Sequence, residues 1–130
     1  MCRCQDVNEC GDMDKSRTEI IRRVSQQVLK YQRQGGKKYV GGQLKIVVEV
    51  KNLAPEKIVG VRYTDDGWFS WKECGGVWSG HDAGADTDEF VVHTESTLAP
   101  GVRVDYALFY QGNRSIYWDN NNSANYSAQF

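Results

Sequence analysis

Seven Tyr and four Trp in 130 residues make an aromatic-rich chain, and several of these rings stand beside asparagines. The segment Tyr117-Trp118-Asp119-Asn120-Asn121-Asn122-Ser123-Ala124-Asn125-Tyr126 is the clearest case. A pyranose ring offers a face of C–H groups that packs on an aromatic plane and a rim of hydroxyls that needs donors and acceptors. Indole and phenol supply such a plane with little rotamer entropy to lose. An Asn amide supplies both hydrogen-bonding senses. Two readings of the segment stand side by side. In one, Trp118 and the Asn run face a sugar; in the other, Trp118 is core and the Asn run turns the chain.

Other chemistry finds less support. His81 and His93 lie in no context that suggests a triad. Asp65, Asp66, Asp86, Asp88 and Glu89 could supply a carboxylate pair for glycoside hydrolysis, but turns and solvated strand ends account for them. No enzyme activity and no cofactor is expected. The cysteines are Cys2, Cys4, Cys10 and Cys74, with neither the paired spacing of a zinc site nor the spread of a disulfide framework. Asp6-Val7-Asn8-Glu9-Cys10 resembles the opening of a calcium-binding epidermal-growth-factor repeat without the rest of its cysteines. The formal net charge of −1 gives no electrostatic footprint for nucleic acid or an anionic membrane. No apolar run approaches the roughly 20 residues that span a bilayer, and the first 20 residues are polar, without a secretory apolar core.

The elements that must position these residues follow from hydrophobic period. Residues 1–14 read as a Cys-bearing tail. Ser16-Arg17-Thr18-Glu19 has the form of a capping box, and Ile20, Val24 and Val28 recur every fourth residue. The spacing predicts an amphipathic helix to about Gln34, stopped by Gly35-Gly36. Its stripe packs on the following domain or on a second chain.

Beyond Gly41-Gly42 the period becomes two. Strands are expected over 43–51, 58–64, 88–94, 102–110 and 115–118, with a last short strand from Tyr126. Asp65-Asp66-Gly67 is a turn. The Gly-rich stretch 75–85, which carries Trp78, reads as a surface loop. The expected architecture is an all-β, antiparallel, immunoglobulin-like sandwich of seven to eight strands over 37–130, preceded by the helix in 1–36.

Three segments resemble carbohydrate-binding module family 21, the starch-binding domains of fungal glucoamylase and the glycogen-targeting domains of type-1 protein phosphatase regulatory subunits. Asp119 to Tyr126 resembles the fungal closing motif. Val50-Lys51-Asn52-Leu53-Ala54 with Lys57-Ile58-Val59 resembles the first conserved turn. Val61-Arg62-Tyr63-Thr64-Asp65-Asp66-Gly67-Trp68 resembles the central motif in its animal form. The resemblance covers about residues 40–128.

It implies a non-catalytic module that binds α-1,4-glucan: starch, glycogen or maltooligosaccharides. It makes Trp68 the principal stacking ring and Trp118 the second, with Asn120 and Asn125 as polar contacts. It makes Asn52 and Lys57 polar residues of a second site. Ala107 stands where the fungal domain has a third stacking Tyr, and Pro55 where Tyr anchors the second site. Trp71 and Trp78 are candidates for a replacement ring.

Two alternatives are carried. One is a scaffold bringing a phosphatase to glycogen, whose docking pattern Arg114-Ser115-Ile116-Tyr117-Trp118 matches in form but lies inside the domain. The other is a free-standing oligomeric lectin, paired through residues 1–36 and with a different sugar. An extracellular setting is expected, with a cytoplasmic one as the alternative. Sequons at Asn121 and Asn125 would place glycans on the proposed site.

Overall fold

The structure is a computed structural model that describes residues 20–32 and 39–130, with backbone only at residues 32, 39 and 40. The tail with Cys2, Cys4 and Cys10 and the capping box at 16–19 lie outside these residues. The described residues form eight strands: β1 (Ile21–Gln32), β2 (Tyr39–Lys51), β3 (Ile58–Thr64), β4 (Lys72–Asp82), β5 (Thr87–His93), β6 (Arg103–Gly112), β7 (Ser115–Asp119) and β8 (Tyr126–Gln129). All pairings are antiparallel, in the order β1-β2-β5-β4-β3-β6-β7, with β8 also on β6. Leu44, Ile46, Val48 and Val50 of β2 and Val59, Val61 and Tyr63 of β3 line the inner face at the alternate positions their period requires.

Two expectations are corrected. The helix of the N-terminal segment is strand β1, paired along its length with β2. Four residues is two strand periods as well as about one helical turn, so Ile20, Val24 and Val28 satisfy either pattern. The register shifts between Arg23 and Ser25, leaving Val24 on a bulge and 44 % exposed while Ile21 and Val28 pack on the core. A lone helix of this length is marginal in water, whereas the free edge of β2 offers a full ladder of hydrogen bonds. β1 therefore belongs to the sheet, although it lies before the boundary expected at residues 36/37.

The second correction is the stretch 75–85, which is mostly strand. β4 pairs with β3 through 72–75 and with β5 through 76–82. A Cβ on Gly76 would lie 2.7 Å from Val92 Cγ2 and 3.2 Å from the Val59 carbonyl oxygen. Glycine is what this crowded crossing requires, and the same glycines make the segment look like a loop in sequence.

The hydrogen-bonded path is thus one continuous sheet, curled through β4. Its two ends meet through side chains. The Arg23 backbone N–H donates to Asp119 Oδ2 at 3.2 Å, Gln26 Nε2 donates to the Ser127 carbonyl at 3.3 Å, and the Arg23 guanidinium lies 4.1 Å over the Tyr126 ring.

Candidate functional site

The outer face of β3, β6 and β7 carries an aromatic cluster. Alternation turns Gly60 and Arg62 of β3, Ala107 and Phe109 of β6 and Trp118 of β7 to this side, with Phe109 directly opposite Trp118 and Gly60 opposite Phe109. The Phe109 and Trp118 centroids are 5.5 Å apart. A Cβ on Gly60 would meet Phe109 Cζ at 2.6 Å, so glycine lets Phe109 lie flat and support Trp118. Trp71, just before β4, is 44 % exposed. Arg62 lies between Trp71 and Trp118, within cation–π reach of both.

Trp68 sits in the β3–β4 turn with φ of 73°, a conformation that bulky residues rarely adopt. Thr64 and Asp66 hold it there. The Thr64 hydroxyl donates to Asp66 Oδ1 at 2.7 Å and accepts from the Trp68 N–H at 3.1 Å, and the Ser70 N–H donates to Asp66 Oδ1 at 2.9 Å. Hydrogen bonds from the Ser70 hydroxyl and N–H, then from Thr64, bring the Asp66 carboxyl down to a pKa of about 2. Trp68 is half-buried and, among the described residues, makes no ring contact with Trp118. Phe69 beside it is 95 % exposed.

Asp119 anchors the loop that follows β7. Its carboxylate accepts from the Tyr126 hydroxyl at 2.8 Å, and its Oδ1 accepts from the Asn121 N–H at 3.2 Å. Burial and this neighbouring carboxylate both push the Tyr126 phenol up. Asn121, Asn122, Ser123 and Asn125 all have positive φ, which Asn tolerates better than most residues; the Asn run is needed for the turn whatever else it does. Asn120 is only 2 % exposed, and its Oδ1 accepts from the Ser123 N–H at 3.0 Å. Asn125 is half-buried, and its Oδ1 is a buried acceptor without a partner among the described residues, the kind of group that a ligand or water completes.

Asn52 and Lys57 meet elsewhere. Lys57 Nζ donates to Asn52 Oδ1 at 2.6 Å and pairs with Asp88 at 3.2 Å. Asp88 Oδ1 also accepts from Trp78 Nε1 at 3.0 Å and lies 3.0 Å from His81 Nδ1. Burial alone would raise the Asp88 carboxyl, but hydrogen bonds from Trp78, His81 and Lys57 outweigh it and hold the group below the usual carboxylate range. Asn52, Pro55, Lys57, Trp78, Asp88 and Phe90 line an open groove of about 420 Å³, in which Trp78 is 57 % exposed.

Trp71 and Trp118 therefore share Arg62 as a neighbour and Asn52 and Lys57 share a hydrogen bond, while Trp68 is held in the β3–β4 turn. Sequence reasoning missed Arg62, Phe109 and the connection of Trp78 to Asn52. For Arg62 the signal was present: strand alternation puts it on the face opposite Val61 and Tyr63.

The profile of the carbohydrate/starch-binding module (family 21) matches residues 23–129. Protein phosphatase 1 regulatory subunit 3C-B of Danio rerio is 35% identical over 82 residues, 61% of this chain and 26% of that protein. Human protein phosphatase 1 regulatory subunit 3B is 36% identical over 84 residues, 61% of this chain and 29% of that protein. The chain thus spans under a third of the length of these relatives. The carbohydrate-binding module of the muscle glycogen-targeting subunit of protein phosphatase-1 superposes with a TM-score of 0.59 at 21% identity, over 95% of this chain and 84% of that one. The starch-binding domain of Rhizopus oryzae glucoamylase, solved in complex with β-cyclodextrin and maltoheptaose, gives 0.54 at 25% identity, over 80% and 92%.

Proposed function

The chain belongs to carbohydrate/starch-binding module family 21, and from that premise we propose that it binds α-1,4-glucan without transforming it. The observation that carries this reading is the pair of indoles, Trp71 and Trp118, held on an outer sheet face. Glucose units stack on these rings, and Asn125 meets the hydroxyl rim. Trp68 flanks the platform from its turn. Asn120 serves the site by shaping the loop. The groove at Trp78 is a second site, in which Asn52 and Lys57 present polar atoms and the indole supplies the plane that Pro55 lacks. The binding module begins with β1 rather than at residue 37, and the curl of the sheet forms the two layers of an immunoglobulin-like sandwich.

Intrinsic Trp fluorescence titrated with maltoheptaose and β-cyclodextrin, with cellohexaose as control, tests the reading. A saturable change with the α-linked sugars alone is expected. A response to neither α-sugar, or an equal response to cellohexaose, overturns it.

The named relatives favour a second reading for the protein as a whole: a segment that brings protein phosphatase 1 to glucan, in the cytoplasm rather than outside the cell. The pattern Arg114 to Trp118 forms part of β7 and the turn before it, so the phosphatase contact in this reading lies in other residues.

A further inference from the structure

Arg62 occupies the middle of the aromatic face. Its guanidinium carbon lies 4.1 Å from the Trp71 centroid and 4.9 Å from that of Trp118. Its Nε and Nη2 both donate to Glu73 Oε2, at 2.7 and 2.6 Å. Only 12 % of the side chain is exposed. Directly across the ladder stands Ala107, which carries nothing beyond Cβ to compete for the space. Trp118 has a second support in Phe109, whereas Arg62 is the ring contact of Trp71 among the described residues.

Resting on the reading of these indoles as the sugar platform, we infer that Arg62 is its positioning residue. An exposed indole at a strand end turns freely about two bonds, and a ligand that stacks on it must first order it. A planar, weakly hydrated guanidinium suits this task because it stacks on aromatic faces while a carboxylate holds its edge. Glu73 fixes Arg62, Arg62 fixes Trp71 relative to Trp118, and the two rings meet the glucan already arranged. Pre-ordering of this kind raises affinity by removing an entropic cost of binding. The charge itself is neutralised within the pair, so the device adds no affinity for anionic sugars.

The experiment uses the chain labelled with 5-fluorotryptophan, which gives each Trp its own ¹⁹F resonance, assigned by single Trp→Phe substitutions. In Arg62→Met the Trp71 resonance should move toward the solvent-exposed position and narrow, with the melting temperature little changed. Maltoheptaose affinity, measured by calorimetry, should fall about five- to tenfold, with the loss in the entropy. Glu73→Gln should shift the same resonance in the same direction more weakly, and Arg62→Lys should recover part of the affinity. Glu73→Gln decides the matter if Arg62→Met does not fold. An unmoved Trp71 resonance in the folded variant overturns the inference. So does an affinity within about twofold of the parent, a span of only about 0.4 kcal/mol. If the parent itself binds no maltoheptaose, the function reading fails, and the ligand-free ¹⁹F shift alone decides whether Arg62 orders the rings.

Discussion

Trp118 and Asn120 stand two residues apart in sequence and have opposite surroundings. Trp118 projects from β7 onto the outer face, whereas Asn120 turns inward as the strand ends and bonds its own loop. Trp118→Ala should therefore cost more than about 1 kcal/mol of maltoheptaose binding, as a central aromatic anchor does, and leave the thermal melt nearly unchanged. Asn120→Ala should instead cost about 0.5–1.5 kcal/mol of stability in a urea titration, because it removes the hydrogen bond by which a buried side chain holds the Ser123 N–H. Asp66 gives a pH dependence. Its folded-state pKa of about 2 lies below the ordinary 3.8, so the fold favours the ionised form. That contribution is complete above about pH 4 and is lost as pH falls through 3.8 toward 2. Melts between pH 5 and pH 2 should fall less steeply for Asp66→Asn than for the parent, and equal slopes would deny the turn its dependence on this carboxylate. The residue types of the candidate site could be picked out in sequence because rings beside Asn suit sugars. Which Asn faces outward was not, because alternation stops where the loop begins.

β1 shows what a single strand adds. Ile21 is fully buried beneath it, opposite Val50. Ile21→Ala should cost about 2–4 kcal/mol of unfolding free energy, the range for a buried aliphatic truncated in a packed core. A surface helix would tolerate the same change with a small loss. β3 carries the other element-scale test, at Gly60. A Cβ there would lie 2.5 Å from the Cys74 carbonyl oxygen and 2.6 Å from Phe109 Cζ. The first of these is backbone and yields only by moving β4. Gly60→Ala should thus destabilise by about 1–3 kcal/mol, and it should also shift the Trp118 fluorescence maximum as Phe109 is pushed outward. Neither close approach is visible in sequence, where Gly60 is an unremarkable glycine in a β-branched run.

Across the whole molecule the two candidate sites are strung along β4, with Trp71 just before its first residue and Trp78 in its middle. Seven residues separate the two indoles by at most about 23 Å, and Trp71 lies against Arg62 whereas Trp78 bonds Asp88, so each ring belongs to a candidate site of its own. Calorimetry with maltoheptaose should then count two sugars per chain, and Trp78→Ala should reduce this to one while leaving the remaining affinity in place. Glycogen, which reaches both sites, should lose about a hundredfold or more in apparent affinity with the same variant. A count of one in the parent would remove the second site and leave the first intact.

The amino-acid sequence alone determined the antiparallel all-β class, most strand positions and the family, because period-two patterning and the Asn-rich closing motif are local properties. It could not decide β1, since a four-residue apolar spacing fits helix and strand equally and only the open edge of β2 breaks the tie. Nor could it decide β4, whose glycines signal a loop until the sheet is seen to cross there. The tertiary structure alone brought Arg62 between Trp71 and Trp118, and joined Trp78 to Asn52 and Lys57 through Asp88. Such groupings depend on which strands lie side by side, and register between distant strands is set by packing and not by neighbours in the chain.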